Sequence, residues 1–261
     1  MDNYISINRA EIIKLINQLF IDDKTVNAFW LEGADGLGNV DEYSDIDIVL
    51  DVDDGFENCI FETFEQELNK IGSLDLNVED FVDHPKIRTK FYHIENSNEY
   101  LILDFSIQSN SRNSKENIFT KGDIVSFPKI IFDKKEVVKF STEIKNNYSE
   151  NFKDRISIFK ARFKQHSRVL KYVERNLFLE ASMYYRKYVT QPIVELMRMK
   201  YTPKYHYLHL IHISNHIPKE EKLILEKLYK INSLADIKTN TKFAQNIFND
   251  LVKQVEILYI P

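Results

Sequence analysis

Asp45 and Asp47 stand one residue apart in the run Tyr43-Ser44-Asp45-Ile46-Asp47-Ile48-Val49-Leu50. Ile46, Ile48 and Leu50 alternate with the intervening positions, the pattern of a β-strand whose successive side chains point to opposite faces. Asp45, Asp47 and Val49 then share a face, and two carboxylates so placed can ligate the same divalent ions. Phosphoryl and nucleotidyl transfer need such a pair, because metal ions neutralise a triphosphate, orient it for in-line attack and stabilise the attacking and leaving oxygens. Ahead of the pair, Gly33-Ala34-Asp35-Gly36-Leu37-Gly38 supplies a glycine-rich turn in which backbone N–H groups can approach phosphate oxygens. Asp104 is a third carboxylate, on a strand whose apolar face is Leu101, Leu103, Phe105 and Ile107. Amid Tyr100, Ile102 and Ile107 an isolated acid is costly unless paired or metal-bound. Asp-Ile-Asp alone fits a solvated sheet surface equally well, and the glycine turn and Asp104 tip the balance toward chemistry.

The elements that must hold these residues follow from periodicity. Ile12, Ile13, Leu15, Ile16, Leu19 and Phe20 form a helical stripe, and Val26 to Leu31 is a short strand bounded by Gly33. The acidic strand spans Tyr43 to Leu50 and ends at Asp53-Asp54-Gly55. Helical spacing resumes from Phe56 to Ile71, with Gly72 as its stop. Leu74 to Val78, Ile87 to Ile94 and Tyr100 to Gln108 read as strands, the last two joined by a turn at Asn96-Ser97-Asn98. Pro128 to Phe132 reads as an edge strand, since proline removes a ladder donor. From about Asn151 the pattern becomes helical, through Phe152, Ile156, Phe159, Phe163 and Leu170, and, after a break near Asn176, from Ala181 onward. The fold class expected is α+β: an N-terminal mixed sheet with flanking helices over residues 1–145, then an α-helical bundle over 146–261.

Bulk properties exclude some partners. A net charge of −5 without a basic stripe argues against a grip on nucleic-acid phosphates. Cys59 is the single cysteine, so neither an intrachain disulfide nor a cysteine-based zinc site can form, and a reducing compartment fits. No apolar run nears the ~20 residues that cross a bilayer, and the first residues lack a signal-peptide pattern, so a cytoplasmic location without membrane insertion is expected. Oligomeric state is not legible.

The segment from Trp30 to Leu50, taken with Asp104, resembles the polymerase-beta-like nucleotidyltransferase superfamily, whose signature is Gly-Ser, a short turn, Asp-x-Asp and a later third carboxylate on a neighbouring strand. Within it, the chain's size and helical second half look like the bacterial aminoglycoside and lincosamide nucleotidyltransferases. The stretch from Tyr184 to Tyr205 is similar to the helical segment of uncharacterised members. The resemblance implies that Asp45 and Asp47 hold Mg²⁺, that Asp104 is the third metal carboxylate and a candidate to accept the acceptor hydroxyl's proton, and that Gly33, Ala34 and Ser44 meet the nucleotide. It implies ATP or another nucleoside triphosphate as co-substrate, a small hydroxylated acceptor of the aminoglycoside or lincosamide kind, an association with antibiotic resistance, and a helical domain that binds the acceptor. Ala34 departs from the family's serine, at the expense of one hydrogen bond to a charged oxygen. Two other readings stay open: adenylylation of a protein in the manner of an antitoxin, and a nucleotide-binding protein without catalysis.

Several other features invite a functional reading. His206, His209, His212 and His216 are spaced along one side of a helix, yet no carboxylate or thiol completes a zinc set, so exposed helix histidines are the preferred reading. Tyr184, Tyr185, Tyr188, Tyr201, Tyr205 and Tyr207 are expected to be core for the most part, with one or two lining an acceptor pocket. Pro192 is expected to kink its helix. Arg186, Lys187 and Arg198 are candidates to reach phosphates or else a solvated face. Glu99 is a weak candidate base, and Asp51 to Asp54 read as a solvated strand end.

Overall fold

In the computed structural model, residues 5–113, 117–142 and 149–260 are described. The chain divides into two compact units, residues 1–144 and 145–261. The boundary expected at 145–146 lies outside the described residues.

The first unit opens with α1 (Arg9–Phe20), started by a capping box: the Asn8 side chain accepts from the Glu11 N–H at 3.1 Å, and the Glu11 carboxylate accepts from the Asn8 N–H at 2.9 Å. It continues through β1 (Val26–Leu31), α2 (Gly33–Leu37), β2 (Ile46–Val52), α3 (Glu57–Ile71), β3 (Leu74–Asp80), β4 (Ile87–Ile94), β5 (Leu103–Ser109), β6 (Ile118–Thr120), β7 (Lys129–Asp133) and β8 (Lys139–Ser141). Six strands form one sheet in the order β3-β4-β5-β2-β1-β7, and β6 pairs with β8 separately. β2 and β5 run parallel while their other neighbours are antiparallel, so the sheet is mixed, as expected. β7 lies at the edge, where Pro128 costs no ladder bond.

Alternation decides what each face of the sheet does. Ile46, Ile48 and Leu50 of β2, with Leu103, Phe105 and Ile107 of β5, pack with Ile16 and Phe20 of α1 and with Phe61, Phe64 and Leu68 of α3 in one apolar core. Each such side chain stabilises the unit by roughly 1.5–3 kcal/mol, which fixes the register and turns Asp47 and Asp104 to the opposite face. There Val49 packs with Ala28, Trp30, Phe119 and Val138 in a smaller cluster, so the acidic face is partly covered.

Two expectations are corrected. The glycine-rich turn is a one-turn helix, α2, because Gly33 and Gly38, at φ 51° and 71°, supply the left-handed residues that enter and leave it. Gly72 caps the end of α3, as expected, in extended conformation, and what requires glycine there is contact with Ile5 and Ile94, whose side chains fill the space of a Cβ. Asp51 is not solvated: it is 1% exposed, and its carboxylate accepts from Asn27 Nδ2 at 2.8 Å and from Arg112 Nη1. Asp53 and Asp54 do lie at the exposed strand end, where Lys135 and Lys86 pair with them.

The second unit is helical: α4 (Ser149–Phe163), α5 (Ser167–Glu174), α6 (Phe178–Tyr185), α7 (Gln191–Tyr201), α8 (Ile213–His216), α9 (Lys219–Tyr229) and α10 (Leu234–Tyr259). Phe152, Ile156, Phe159 and Phe163 of α4 meet Ala244, Phe248 and Leu251 of α10 in a single core. The expected break at Asn176 is a left-handed residue, φ 58°. Residues Arg186–Thr190 form a π-helical turn that joins α6 to α7, and Pro192 sits in the first turn of α7. No helix among the described residues is long and apolar enough to cross a membrane.

Candidate active site

The site is built at the junction of β1, α2 and β2. Leu31 pairs with Ile48, and the Glu32 N–H donates to the Asp47 carbonyl at 3.0 Å, so the chain leaves β1 directly beside Asp47. Gly33 follows. A Cβ there would coincide with the Asp47 carboxylate, and one on Gly36 would strike the Phe127 carbonyl. Both glycines are thus required by close approach within the chain itself.

Asp47 and Asp104 are register partners across the parallel pair β2–β5. Asp45 is exposed one residue ahead of β2, where the Ile46 N–H donates to the Ile102 carbonyl at 2.9 Å. Asp47 is half-buried and pushed up to about 7, by burial first and then by the charges of Asp45, Asp104 and Glu32, with Arg9 opposing. Asp104 is pushed up to about 6, by burial, then Asp45, and more weakly Asp80 and Glu32, against a 3.4 Å bond from the Ser106 hydroxyl. Burial also raises Glu32, countered by the Trp30 indole N–H at 2.9 Å. Four carboxylates therefore act on one another, and like charges in a half-buried setting favour a bound proton or a cation.

The expected three-carboxylate cage is not closed. Among the described residues, no three His, Cys, Asp or Glu side chains are arranged so as to hold a metal ion. The donor set itself, hard oxygens that raise one another's proton affinity, fits a divalent cation such as Mg²⁺.

Arg9, at the first residue of α1, ties the corner together. Its Nη1 donates to the carbonyls of Ser44 at 2.9 Å and Asp45 at 2.5 Å, and its Nη2 donates to the buried Asp35 carboxylate of α2. Lys129 of β7 reaches the same carboxylate at 3.4 Å. Sequence reasoning missed Arg9 and gave Asp35 and Glu32 no role. Nothing in local spacing marks Arg9, which lies 35 residues from Ser44.

The other candidates are placed as follows. Ala34 is half-buried in the first turn of α2, whose leading N–H groups have no intrahelical partner. Ser44 is engaged within its own loop: its hydroxyl donates to the Asp41 carboxylate at 2.8 Å and accepts from the Asp41 N–H at 3.0 Å. Glu99 is exposed beside Tyr100, and the acids that act on Asp47 and Asp104 do not include it. In the helical unit the four histidines share no helix face: His206 and His209 lie in or beside a 3₁₀ segment, and His209 and His212 have φ of 47° and 55°. Arg198 is fully buried and bonded within its own unit, so it presents no free phosphate ligand. Tyr185 and Tyr188 are core residues, Tyr205 is buried too, and Tyr207 is exposed.

No protein-family model matches the chain, and no curated protein sequence does. Among the solved structures similar to it, three match over nearly its whole length as follows. One is an aminoglycoside 6-adenyltransferase from Bacillus subtilis, 15% identical, covering 96% of this chain and 90% of that one with a TM-score of 0.37. Another is the spectinomycin adenyltransferase AAD(9) from Enterococcus faecialis with ATP and spectinomycin, 12% identical, covering 95% and 98% with a TM-score of 0.32. The third is JHP933 from Helicobacter pylori, 11% identical, covering 96% and 95% with a TM-score of 0.27.

Proposed function

We propose that the chain is a nucleotidyltransferase that moves a nucleoside monophosphate, AMP from ATP in the first instance, to a hydroxyl of a small molecule. The observation that carries this reading is the pairing of Asp47 with Asp104 across two parallel strands, beside a glycine corner, with both acids pushed far above the ordinary carboxylate range. Asp45, Asp47 and Asp104 would hold Mg²⁺, which supplies charge neutralisation of the triphosphate when bound.

The chain's own groups do the rest. The leading N–H groups of α2, at Ala34 and Asp35, donate to phosphate oxygens, and Gly33 lets the backbone come close. Arg9 holds the Asp45 carbonyl and α2 in a fixed relation, so the acids and the N–H donors form one rigid corner. Asp104 accepts the proton of the acceptor hydroxyl. The acceptor oxygen bonds to the α-phosphorus, the α–β anhydride bond breaks, and pyrophosphate leaves with the bonding electron pair.

The test is pyrophosphate release by purified protein with Mg²⁺ and ATP across a panel of aminoglycosides, lincosamides and other polyols. Release that Asp47→Asn abolishes is the expected result. Absence of release with every acceptor, together with nucleotide binding that Asp47→Asn leaves unchanged, overturns the reading.

A further inference from the structure

The helical unit holds a cavity of about 600 Å³, within the size range of small-molecule sites. One wall is a stripe of the α6–α7 run: Met183, Arg186, Lys187, Gln191 and Val194. The π turn at Arg186–Thr190 interrupts this run where it faces the cavity, and such turns concentrate at functional sites. The opposite wall is the strap Leu208-His209-Leu210-Ile211, with Tyr229 of α9 also lining the space.

The strap is held in a conformation it would not choose. His209 has φ 47° and ψ −113°, a sparsely populated region for a residue with a Cβ. Two buried charged residues on α7 hold it there. Arg198, fully buried, donates from Nε to the His209 carbonyl at 2.8 Å and from Nη2 to the Ile211 carbonyl. Glu195, 1% exposed, sits 2.6 Å from His209 Nδ1 and accepts from Arg155 at 2.8 Å. Burying two ions and a strained backbone is costly, and such costs cluster where a ligand is clamped.

The chemistry of the lining selects the ligand. Arg186 and Lys187 are exposed cations at the cavity, and the lining contains no carboxylate. The remaining surface is chiefly apolar, with Met183, Leu210 and Ile211 all exposed. We propose that this cavity is a ligand site for a small organic anion: a phosphate or carboxylate head against Arg186 and Lys187, and an apolar or aromatic body against Met183, Leu210 and Ile211. Its sign is wrong for a polycationic acceptor. The site stands independently of the nucleotidyl-transfer reading, since none of its residues belongs to the acidic corner.

The probe is anilinonaphthalene sulfonate, an aromatic anion that fluoresces when bound in an apolar site, titrated into the native full chain. Phenylnaphthylamine, the same kind of body without the charge, is the control. Saturable binding of one sulfonate per chain is expected, with the neutral compound weaker. Arg186→Met with Lys187→Met, both at exposed positions, should weaken the sulfonate by about tenfold or more while thermal melting stays unchanged. Leu210→Glu, which brings a carboxylate to the strap, should weaken it as well. Competition by phenyl phosphate and by benzoate then distinguishes the two head groups. Equal binding of charged and neutral probes, affinity untouched by these substitutions, or no saturable binding at all overturns the proposal.

Discussion

The Asp47 carboxylate fills the space that a Cβ on residue 33 would occupy, so the glycine corner and the acidic strand are interlocked through one missing side chain. Gly33 also has φ 51°, which a residue with a Cβ rarely adopts. Gly33→Ala is therefore expected to destabilise the first unit by about 1–3 kcal/mol and to displace Asp47. Chemical denaturation and transfer activity report on the two effects, and activity should fall further than stability explains.

Ala34 lies in the first turn of α2, where the superfamily that the sequence resembles has serine. Ala34→Ser adds a hydroxyl donor at that turn. A hydrogen bond to a charged oxygen contributes about 1.5–3 kcal/mol, so affinity for ATP should rise by roughly tenfold or more. Equilibrium binding of a non-hydrolysable analogue measures it.

Asp47 gives a pH dependence whose sign can be worked out. Its ordinary carboxyl value is 3.8 and its folded value is about 7, so the folded chain holds the proton more tightly than the unfolded one. The stabilisation from this group is complete below about pH 4 and is lost as pH rises through about 7. Asp47→Asn keeps the uncharged form at every pH. Without divalent cation the variant should melt above the wild type at pH 8 and level with it at pH 4, and added Mg²⁺ should raise the wild type alone.

Asp51 and Arg112 form a buried ion pair, with side chains 1% and 2% exposed. Removing one partner leaves an uncompensated buried charge, so Asp51→Ala should cost about 3–5 kcal/mol. Replacing both by apolar residues should cost much less, a difference that urea unfolding of the single and double variants resolves.

Periodicity and alternation carried most of the fold. The faces of β2 and β5 follow from Ile46, Ile48 and Leu50 and from Leu103, Phe105 and Ile107, and the same alternation turned Asp47 and Asp104 to a common side of the sheet. What stayed hidden depends on contacts distant in sequence. Asp51 reads as the start of an acidic run, and its burial rests on partners distant in sequence, Asn27 and Arg112. Arg9 looks like one more polar residue at a helix start until the fold brings it to Ser44, Asp45 and Asp35. His206, His209, His212 and His216 stand at helix-like intervals along the chain, but two of them adopt positive φ, and a spacing rule for helices does not hold there.

Mn²⁺ can stand in for Mg²⁺ in an electron paramagnetic resonance titration with a non-hydrolysable triphosphate present. Stoichiometric binding to the wild type is expected, with a loss of about tenfold or more in each of Asp45→Asn, Asp47→Asn and Asp104→Asn and no variant melting below the wild type when divalent cation is absent. Wild-type affinity retained in all three variants would contradict it.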